Sequence, residues 1–536
     1  MELKIITMNR LFVGIASLLA IVLMAVSCIK EPTIDFDHIE QRSLKAWIAK
    51  HRPELVDNYQ EEGGYYVEVL DEGCADSVAI TGKDVWLWYD FTGRSLEGTV
   101  CETRDWKLAQ QLNTYTDYTH YVPTFRFSGK ETTTMMEGTY LATFNKLKIG
   151  DKELEVRYGT KLRLYLPSAI VATLGADGGY EGQFGLEDSK PLVVDMNIYG
   201  HVTNPVAYEG SRVEAFANVN GGLCTEHKTV KEEEDKENEE TKALRRRIIS
   251  RFGEESEEGE ETEEEVDTRP LEFYDGRWHQ PVDTLEHLLV KYLYSPETGF
   301  NFDAVAADKM MYNNDNVSEN KYQAGNTYSN LSDLDRRINE ALVERFGTGL
   351  AREDVLEADS VNKKSSINVW YIGRFLDGFI FDTNIDEVKE IIYGKVESKG
   401  EALSFTTADP LDNKYILAWN YAIPTLRLGQ WATILTVSTY AYGLEGQSGS
   451  TTSTTTGGND QAYYDYLNYM NYMNYMNNYY GNSYGGMYNN GYYGYNPYYY
   501  GYTYNNTSTD TSVTVTTTST EIQAYTPLIF QVFISK

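Results

Sequence analysis

From 447 to 520 the chain carries neither Lys nor Arg, and positions 461–505 hold 18 of its 44 tyrosines. Asn, Gly and Met interleave with them in near-repeats such as Asn468-Tyr469-Met470-Asn471-Tyr472-Met473, and Ser/Thr runs flank the block on both sides. Such a tract has no helical or strand period, so it offers no face to a core. A strongly apolar stretch follows, Leu528-Ile529-Phe530-Gln531-Val532-Phe533-Ile534. Whatever folds here must bring that last strand back to a sheet across a long excursion. Closure entropy rises only slowly with loop length, so the sheet tolerates it. The tract reads as a disordered insertion. It is either an inert loop expansion or an adhesive surface, since tyrosine gives amphipathic contact at low entropy cost.

A second tract, 231–267, holds 17 acidic and 7 basic residues, with two acidic blocks around Ala243-Leu244-Arg245-Arg246-Arg247-Ile248-Ile249. It reads as a solvated linker and lacks the Asp/Asn/Gly alternation of a calcium loop. The rest is ordinary globular sequence, with 41% hydrophobic and 24% charged residues in a total of 536. That length suggests two to four domains. Asp plus Glu outnumber Lys plus Arg by 80 to 47, giving −33. This excludes nucleic acid as the main partner, because phosphate binding needs a basic face.

At the N-terminus, Lys4 and Arg10 precede an apolar run over 11–26 that ends in Ala25-Val26-Ser27-Cys28. The run is shorter than the roughly 20 residues a membrane span needs, so it reads as a signal peptide, residues 1–27. The small residues before Cys28 resemble the lipobox of bacterial lipoproteins, which implies lipidation of Cys28 and a membrane anchor. An uncleaved anchor is the alternative. Ile29 after the cysteine favours, by analogy with lipoprotein sorting, the outer membrane, facing the periplasm or the cell surface. Cys74, Cys101 and Cys224 remain, and an exported chain is expected to pair Cys74 with Cys101. The seven histidines are scattered, no cysteine spacing suits a metal, and no GxSxG, phosphate loop or dinucleotide fingerprint occurs. No cofactor is implied.

Residues 35–55 should form a helix capped by Asp37 with Glu40 behind it, apolar at Leu44, Trp47 and Ile48, and ended by Pro53. A strand-rich region over 64–202 contains Val85-Trp86-Leu87-Trp88-Tyr89-Asp90-Phe91, apolar on both faces and so covered on both sides. A second folded region begins near Leu271, with a helix over 332–346 opened by a Ser332/Asp335 capping box and stopped by Gly347. Residues 203–330 match no motif, though 285–294 has room for an extra helix or strand.

The second region carries Val369-Trp370-Tyr371-Ile372-Gly373-Arg374-Phe375-Leu376-Asp377-Gly378-Phe379-Ile380-Phe381-Asp382, then Ile416-Leu417-Ala418-Trp419, then Tyr440-Ala441-Tyr442-Gly443, and a closing Pro527-Leu528-Ile529-Phe530. These four blocks, in this order, resemble the FKBP-type peptidyl-prolyl cis-trans isomerases. The resemblance implies an α+β fold of two FKBP-like domains, each a curved antiparallel sheet wrapped around a short helix. The divisions are a tether and helix over 28–60, a degenerate domain over 61–205, an acidic linker over 206–270 and an isomerase domain over 271–536 that contains the insertion 447–520.

The resemblance also implies roles. Tyr371, Phe381 and Phe530 become pocket walls and Trp419 the floor. Ile416 supplies a backbone contact, Tyr442 a hydroxyl for the substrate carbonyl, and Asp382 the pocket acid. Ile522 overhangs the site beside Glu521, which stands where the family usually has an apolar residue. Ala418 replaces a family glycine. In the first region Gly64-Tyr65-Tyr66-Val67-Glu68-Val69-Leu70, Phe91-Thr92-Gly93 and Pro191-Leu192-Val193-Val194-Asp195 match the pattern, but Cys101, Glu102 and Thr139 take the places of the pocket Phe, Asp and Trp. The implied activity is prolyl isomerisation of exported, proline-containing polypeptides. The alternative is a non-catalytic binding or adhesive surface lipoprotein. The oligomeric state is left open.

Overall fold

The computed structural model describes residues 36–80, 84–129, 135–172, 186–224, 271–282, 284–302, 331–355, 357–361, 366–394, 396, 399–407, 415–456 and 513–535. The signal segment, Cys28 and the charged tract at 231–267 lie outside them. The chain opens with α1 (Phe36–His51), which buries Leu44 and Ile48, and Pro53 then starts a 3-10 turn. Asp37, expected as the cap, lies inside the helix. There follow β1 (Tyr59–Gln60), β2 (Tyr65–Glu72), β3 (Trp86–Arg94), β4 (Val100–Thr103), α2 (Trp106–Gln111), β5 (Thr124–Phe127), α3 (Glu137–Phe144), the hairpin β6 (Leu147–Ile149) and β7 (Lys152–Leu154), β8 (Thr160–Leu166) and β9 (Leu192–Val202). They make an antiparallel sheet in the order β1-β2-β8-β9-β3-β4, with β5 also on β3. Leu87, Tyr89 and Phe91 of β3 pack in one cluster with Leu141 and Ala142 of α3, while Trp88 packs with Phe125 and Tyr199 in another. The period of two thus buries both faces of this strand, as its apolar run demands.

The second half contains α4 (Pro205–Val219), β10 (Leu288–Lys291), α5 (Leu331–Phe346), β11 (Ser366–Phe375), β12 (Ile380–Thr383), α6 (Asp386–Tyr393), β13 (Leu403–Thr406), α7 (Leu417–Ala422), β14 (Trp431–Thr436), β15 (Ser450–Thr456), β16 (Val513–Ser519) and β17 (Leu528–Ser535). Its sheet runs β10-β14-β17-β11-β12, with β13 also on β11. That is the order β2-β8-β9-β3-β4, with β5 on β3, repeated strand for strand. Even the irregularity recurs: the ladder shifts at Gly93/Arg94 against β4 and at Gly373/Arg374 against β12. On β17, Leu528, Phe530, Val532 and Ile534 join the cluster containing α7, while Ile529 and Phe533 turn to the helices on the other face. The architecture is α+β, two antiparallel sheets each packed on a short helix.

Several expectations need correction. The acidic linker was expected from 206, but 205–219 is helix α4, and its Val213, Phe216 and Ala217 pack on the second sheet with Trp278, Leu435 and Ile529. Strand β10 fills part of the unplaced stretch. Asp335, expected in a capping box, is instead buried in an ion pair with Arg374 at 2.8 Å, and Arg374 Nε donates to Gln531 Oε1 at 2.8 Å. Cys74 and Cys101 are unbonded. Cys74 follows β2 and Cys101 lies in β4, and three strands intervene, about 19 Å at ~4.8 Å per spacing, against the ~7 Å a disulfide spans. The Ser/Thr flanks of the insertion are ordered and pair residue for residue from Ser450↔Ser519 to Thr456↔Val513. The tyrosine-rich part, 457–512, lies outside the described residues. Among the described residues no helix is long and apolar enough to cross a membrane.

One device is duplicated with the topology. Glu40 of α1 accepts from Ser168 N at 2.8 Å and from its hydroxyl, just after β8. Glu209 of α4 accepts from Ser438 N at 2.5 Å and Ser438 Oγ at 2.9 Å, just after β14. Each helix thereby fastens the turn that leaves the sheet's second long strand. Glu209 is 1% exposed, and burial pushes its carboxyl up to about 7 against the pull of the Ser438 hydrogen bonds. Its folded value exceeds the unfolded one, so its contribution is full below about pH 4.5 and is lost as pH rises through about 7. Urea unfolding of the wild type should therefore show a loss on the order of 1–3 kcal/mol between pH 5 and 8 that Glu209→Gln abolishes. Parallel pH profiles for the two proteins would refute this assignment.

Candidate functional site

The hairpin of β11 and β12 sets the site. Its Asp377-Gly378 turn needs glycine: Gly378 has φ 92, and a Cβ there would meet Phe302 and Leu331 at 3.0 and 3.1 Å. The bulge beside it places Gly373 opposite Asp382. Phe381 then lies over Gly373, where an added Cβ would be 2.6 Å from its ring. The strand is bare at that point, and the ring fills the gap.

Around Phe381 the aromatic residues close a chain of edge-to-face contacts, the geometry that ring quadrupoles favour. Phe381 meets Phe530 at 5.8 Å and 86°, and Tyr442 at 6.2 Å and 88°. Trp419 meets Phe530 at 5.4 Å and 84°, and Tyr371 at 5.1 Å and 76°. Ile416, extended at φ −58 and ψ 145, starts α7 and sets Trp419 in its first turn. Ile416 and Ile522 belong to the same buried cluster. Trp419 and Phe530 form a buried floor, Tyr371 and Tyr442 stand half-buried at the edge, and Asp382 is exposed there.

Tyr371 Oη donates to Asp382 Oδ2 at 2.6 Å. Water reaches the Asp382 carboxylate, yet protein crowds it. That burial pushes it above the usual carboxylate range, while the Tyr371 hydrogen bond and Lys389 pull the other way. Burial, then the Asp382 charge, pushes the Tyr371 phenol well up, so it remains a donor. Trp419 Nε1 has no hydrogen-bond partner among the described residues. Of the eight residues selected in this domain, Tyr371, Phe381, Asp382, Trp419, Tyr442 and Phe530 are joined by ring contacts and the Tyr371–Asp382 hydrogen bond, and Ile416 and Ile522 lie in the buried cluster on which they pack. The arrangement offers an apolar floor with few polar groups and no nucleophile, and it suits a neutral, planar ligand better than a charged one.

Among its described residues the first domain shows no such surface. Its register puts Glu102 and Val194 opposite Gly93, as Asp382 and Phe530 stand opposite Gly373. Cys101 then takes the place of Phe381, and Thr139 bonds its own helix through Met136 O at 2.7 Å. Among the described residues no ring lies over Gly93, where the nearest neighbour to an added Cβ is Leu192 at 3.5 Å.

No family model and no curated protein matches the chain. Solved structures do. A peptidyl-prolyl cis-trans isomerase from Pseudomonas syringae pv. tomato is 16% identical over 31% of this chain and 94% of that one, with a TM-score of 0.20. The three FKBP domains of wheat FKBP73 are 10% identical over 89% and 95%, with a TM-score of 0.18. FkpA from Escherichia coli is 13% identical over 36% and 72%, with a TM-score of 0.20. One of these structures is thus named an FKBP protein and another a peptidyl-prolyl cis-trans isomerase. Superpositions this slight carry no weight of their own. The repeated strand order and register define the fold.

Sequence reasoning missed that the first domain sits at the edge of the site. Glu521 turns away from the aromatic cluster and bridges Arg104 at 2.7 Å and Arg126 at 2.9 Å. Burial alone would raise its pKa, but the two guanidiniums hold it down to about 2. Gln523 accepts from Phe125 N at 2.6 Å and donates to Pro123 O at 3.1 Å. Tyr118 stacks on Tyr393 at 4.1 Å and 10°, and His120 stacks on Phe375 at 4.7 Å while its Nε2 pairs with Asp377 at 2.6 Å. The available signal was Tyr115-Thr116-Asp117-Tyr118-Thr119-His120-Tyr121, a loop with more rings than a solvated turn requires.

The two glycines give a matched test. Gly373→Ala should displace Phe381 and destabilise the second domain by about 1–3 kcal/mol, with a change in Trp419 fluorescence. Gly93→Ala should be tolerated. Equal effects in urea unfolding would mean that Phe381 is not seated on Gly373.

Proposed function

We propose that the chain is an FKBP-type prolyl isomerase, tethered by a lipid on Cys28, that assists the folding of exported proteins. The observation that supports this most is the run of edge-to-face rings from Tyr442 through Phe381, Phe530 and Trp419 to Tyr371, with Tyr371 bonded to Asp382, present in the second domain and absent among the described residues of the first. Rotation about an X-Pro amide is opposed by about 18–20 kcal/mol of resonance, and uncatalysed isomerisation takes tens of seconds. The chemistry needs no covalent step. The proline ring rests on the floor of Trp419 and Phe530, between Tyr371 and Phe381. Twisting the amide takes resonance from its carbonyl, leaving it less polar and less dependent on water, so an apolar recess favours the twisted form over the planar one. Tyr442 gives its hydroxyl to the substrate carbonyl, Ile416 a backbone contact and Ile522 the overhang. The Tyr371–Asp382 hydrogen bond fixes the wall.

Because α4 covers the second sheet, the test uses the full-length protein in detergent. It should accelerate cis-to-trans conversion of a short X-Pro-Phe peptide. A Tyr442→Phe, Phe381→Ala, Asp382→Ala variant with native circular dichroism should lose at least about tenfold in kcat/KM, roughly 1.4 kcal/mol. A folded wild type without acceleration would sink the enzyme and leave a binding protein.

The anchor is tested separately. Cells given a labelled fatty acid should label the wild type and not Cys28→Ala, and the variant should move to the soluble fraction. Label persisting in the variant would overturn the lipidation. Recovery of the wild type in outer-membrane fractions would support the localisation proposed here.

A further inference from the structure

Residues 520–525 return the chain from the insertion to β17, and the first domain grips them. Thr520 Oγ1 donates to Tyr118 O at 2.8 Å. Glu521 bridges Arg104 and Arg126, at 2.7 and 2.9 Å. Gln523 accepts from Phe125 N at 2.6 Å and donates to Pro123 O at 3.1 Å, and Tyr525 sets its ring edge-on to Trp86 at 4.9 Å and 78°. Among the described residues, every side-chain hydrogen bond of Thr520, Glu521 and Gln523 reaches the first domain.

Ile522 stands between Glu521 and Gln523 and turns the other way. It is 4% exposed, in the same cluster as Phe381, Trp419 and Phe530. Successive residues of an extended segment point to opposite sides, so 521 and 523 face the first domain while 522 faces the recess. Its own domain holds Ile522 by backbone alone: Ile522 N donates to Gln447 O at 2.8 Å, and Gln447 N to Ile522 O at 2.7 Å. Gly446 lets the two segments approach, since an added Cβ there would sit 2.1 Å from Ile522 O. One such bridge is a slight hold on a segment that follows so long an excursion. A carboxylate shared by two guanidiniums, with Arg104 only 6% exposed, is a strong one.

We propose that Arg104 and Arg126 of the first domain are positioning residues for the second domain's recess: by holding Glu521 they seat Ile522 over the bound proline. They act through Glu521 and not on the substrate. The first domain, with Cys101 and Thr139 where its neighbour has rings, thereby completes its neighbour's site. Ile522 meets the planar and the twisted amide alike, so the contact it makes is uniform binding, which appears in KM and not in kcat. The inference deepens the isomerase reading and rests on the same recess.

The test uses full-length protein in detergent and a short X-Pro-Phe peptide, unlabelled for turnover and fluorescein-labelled for binding by anisotropy. Glu521→Gln keeps the side chain's shape and removes its charge, and Arg104→Ala with Arg126→Ala removes its partners. Near-UV circular dichroism reports folding of each. Either change should raise KM and Kd about fivefold and leave kcat within about twofold. In an Ile522→Ala background the same changes should add less than about twofold, because the contact they position is already gone. Arg94→Ala, which breaks the 3.1 Å ion pair to Asp195 inside the first domain, should leave KM as it is. KM and Kd unmoved in the folded variants overturn the proposal, as do effects that multiply with Ile522→Ala. A fall in kcat at unchanged KM also overturns it, since that is lost folded protein. A wild type that binds the peptide without turnover defeats only the isomerase reading, and the Kd values across the Ile522→Ala cycle then decide the positioning. A wild type that neither binds nor converts the peptide overturns both.

Discussion

The second domain depends on where its last strand goes. Strand β17 is inserted between β14 and β11, pairing Leu528↔Thr436 on one side and Leu528↔Phe375 on the other, and it contributes Phe530 to the floor of the recess. The centre of the sheet therefore waits for the C-terminal residues, which arrive only after the insertion. The β15–β16 ribbon resolves the difficulty locally. By pairing Ser450 with Ser519 it holds the ends of the excursion side by side where the chain returns to the sheet. The bridge Gln447↔Ile522 continues that pairing to the recess.

The two sheets show one architecture under different demands. Both keep the strand order, the bulge at glycine, the short helix and the carboxylate that grips a serine after the second long strand. Only the second keeps large rings at the positions that the shared register brings together. Removing rings from the first costs its fold little, because Tyr65, Leu87, Tyr89, Leu162 and Val194 still fill its core. Fold and site are separable: the ladders hold the first, and a handful of side chains on one face makes the second.

Much of this was legible from the residues. Gly373, Asp377-Gly378 and the alternation in 528–534 dictate local backbone, so the hairpin, the bulge and the inward set Phe530, Val532 and Ile534 follow from short-range rules. The covered strand at 85–91 was legible for the same reason. Helix α4 was not, because it adjoins a charged tract and its partners, Ser438 and Ile529, lie far along the chain. The capping-box reading of Asp335 followed a sound local rule and missed a competitor. Arg374, 1% exposed, needs an anion, and a buried unpaired guanidinium costs more than a cap contributes.

The sequence by itself determined which residues could build an apolar, aromatic recess and which tract could not enter a core, since both follow from side-chain chemistry and period. It also determined the divergence of the first domain, because Cys101 and Thr139 are too small to replace rings whatever surrounds them. Only the tertiary structure decided what Glu521 does. Read locally, it was an acidic residue over an apolar site. Folded, it is the shared anion of Arg104 and Arg126, some 400 residues earlier. No local rule reaches that far, because the pairing exists only once two separately folded sheets meet and desolvate the three charges together.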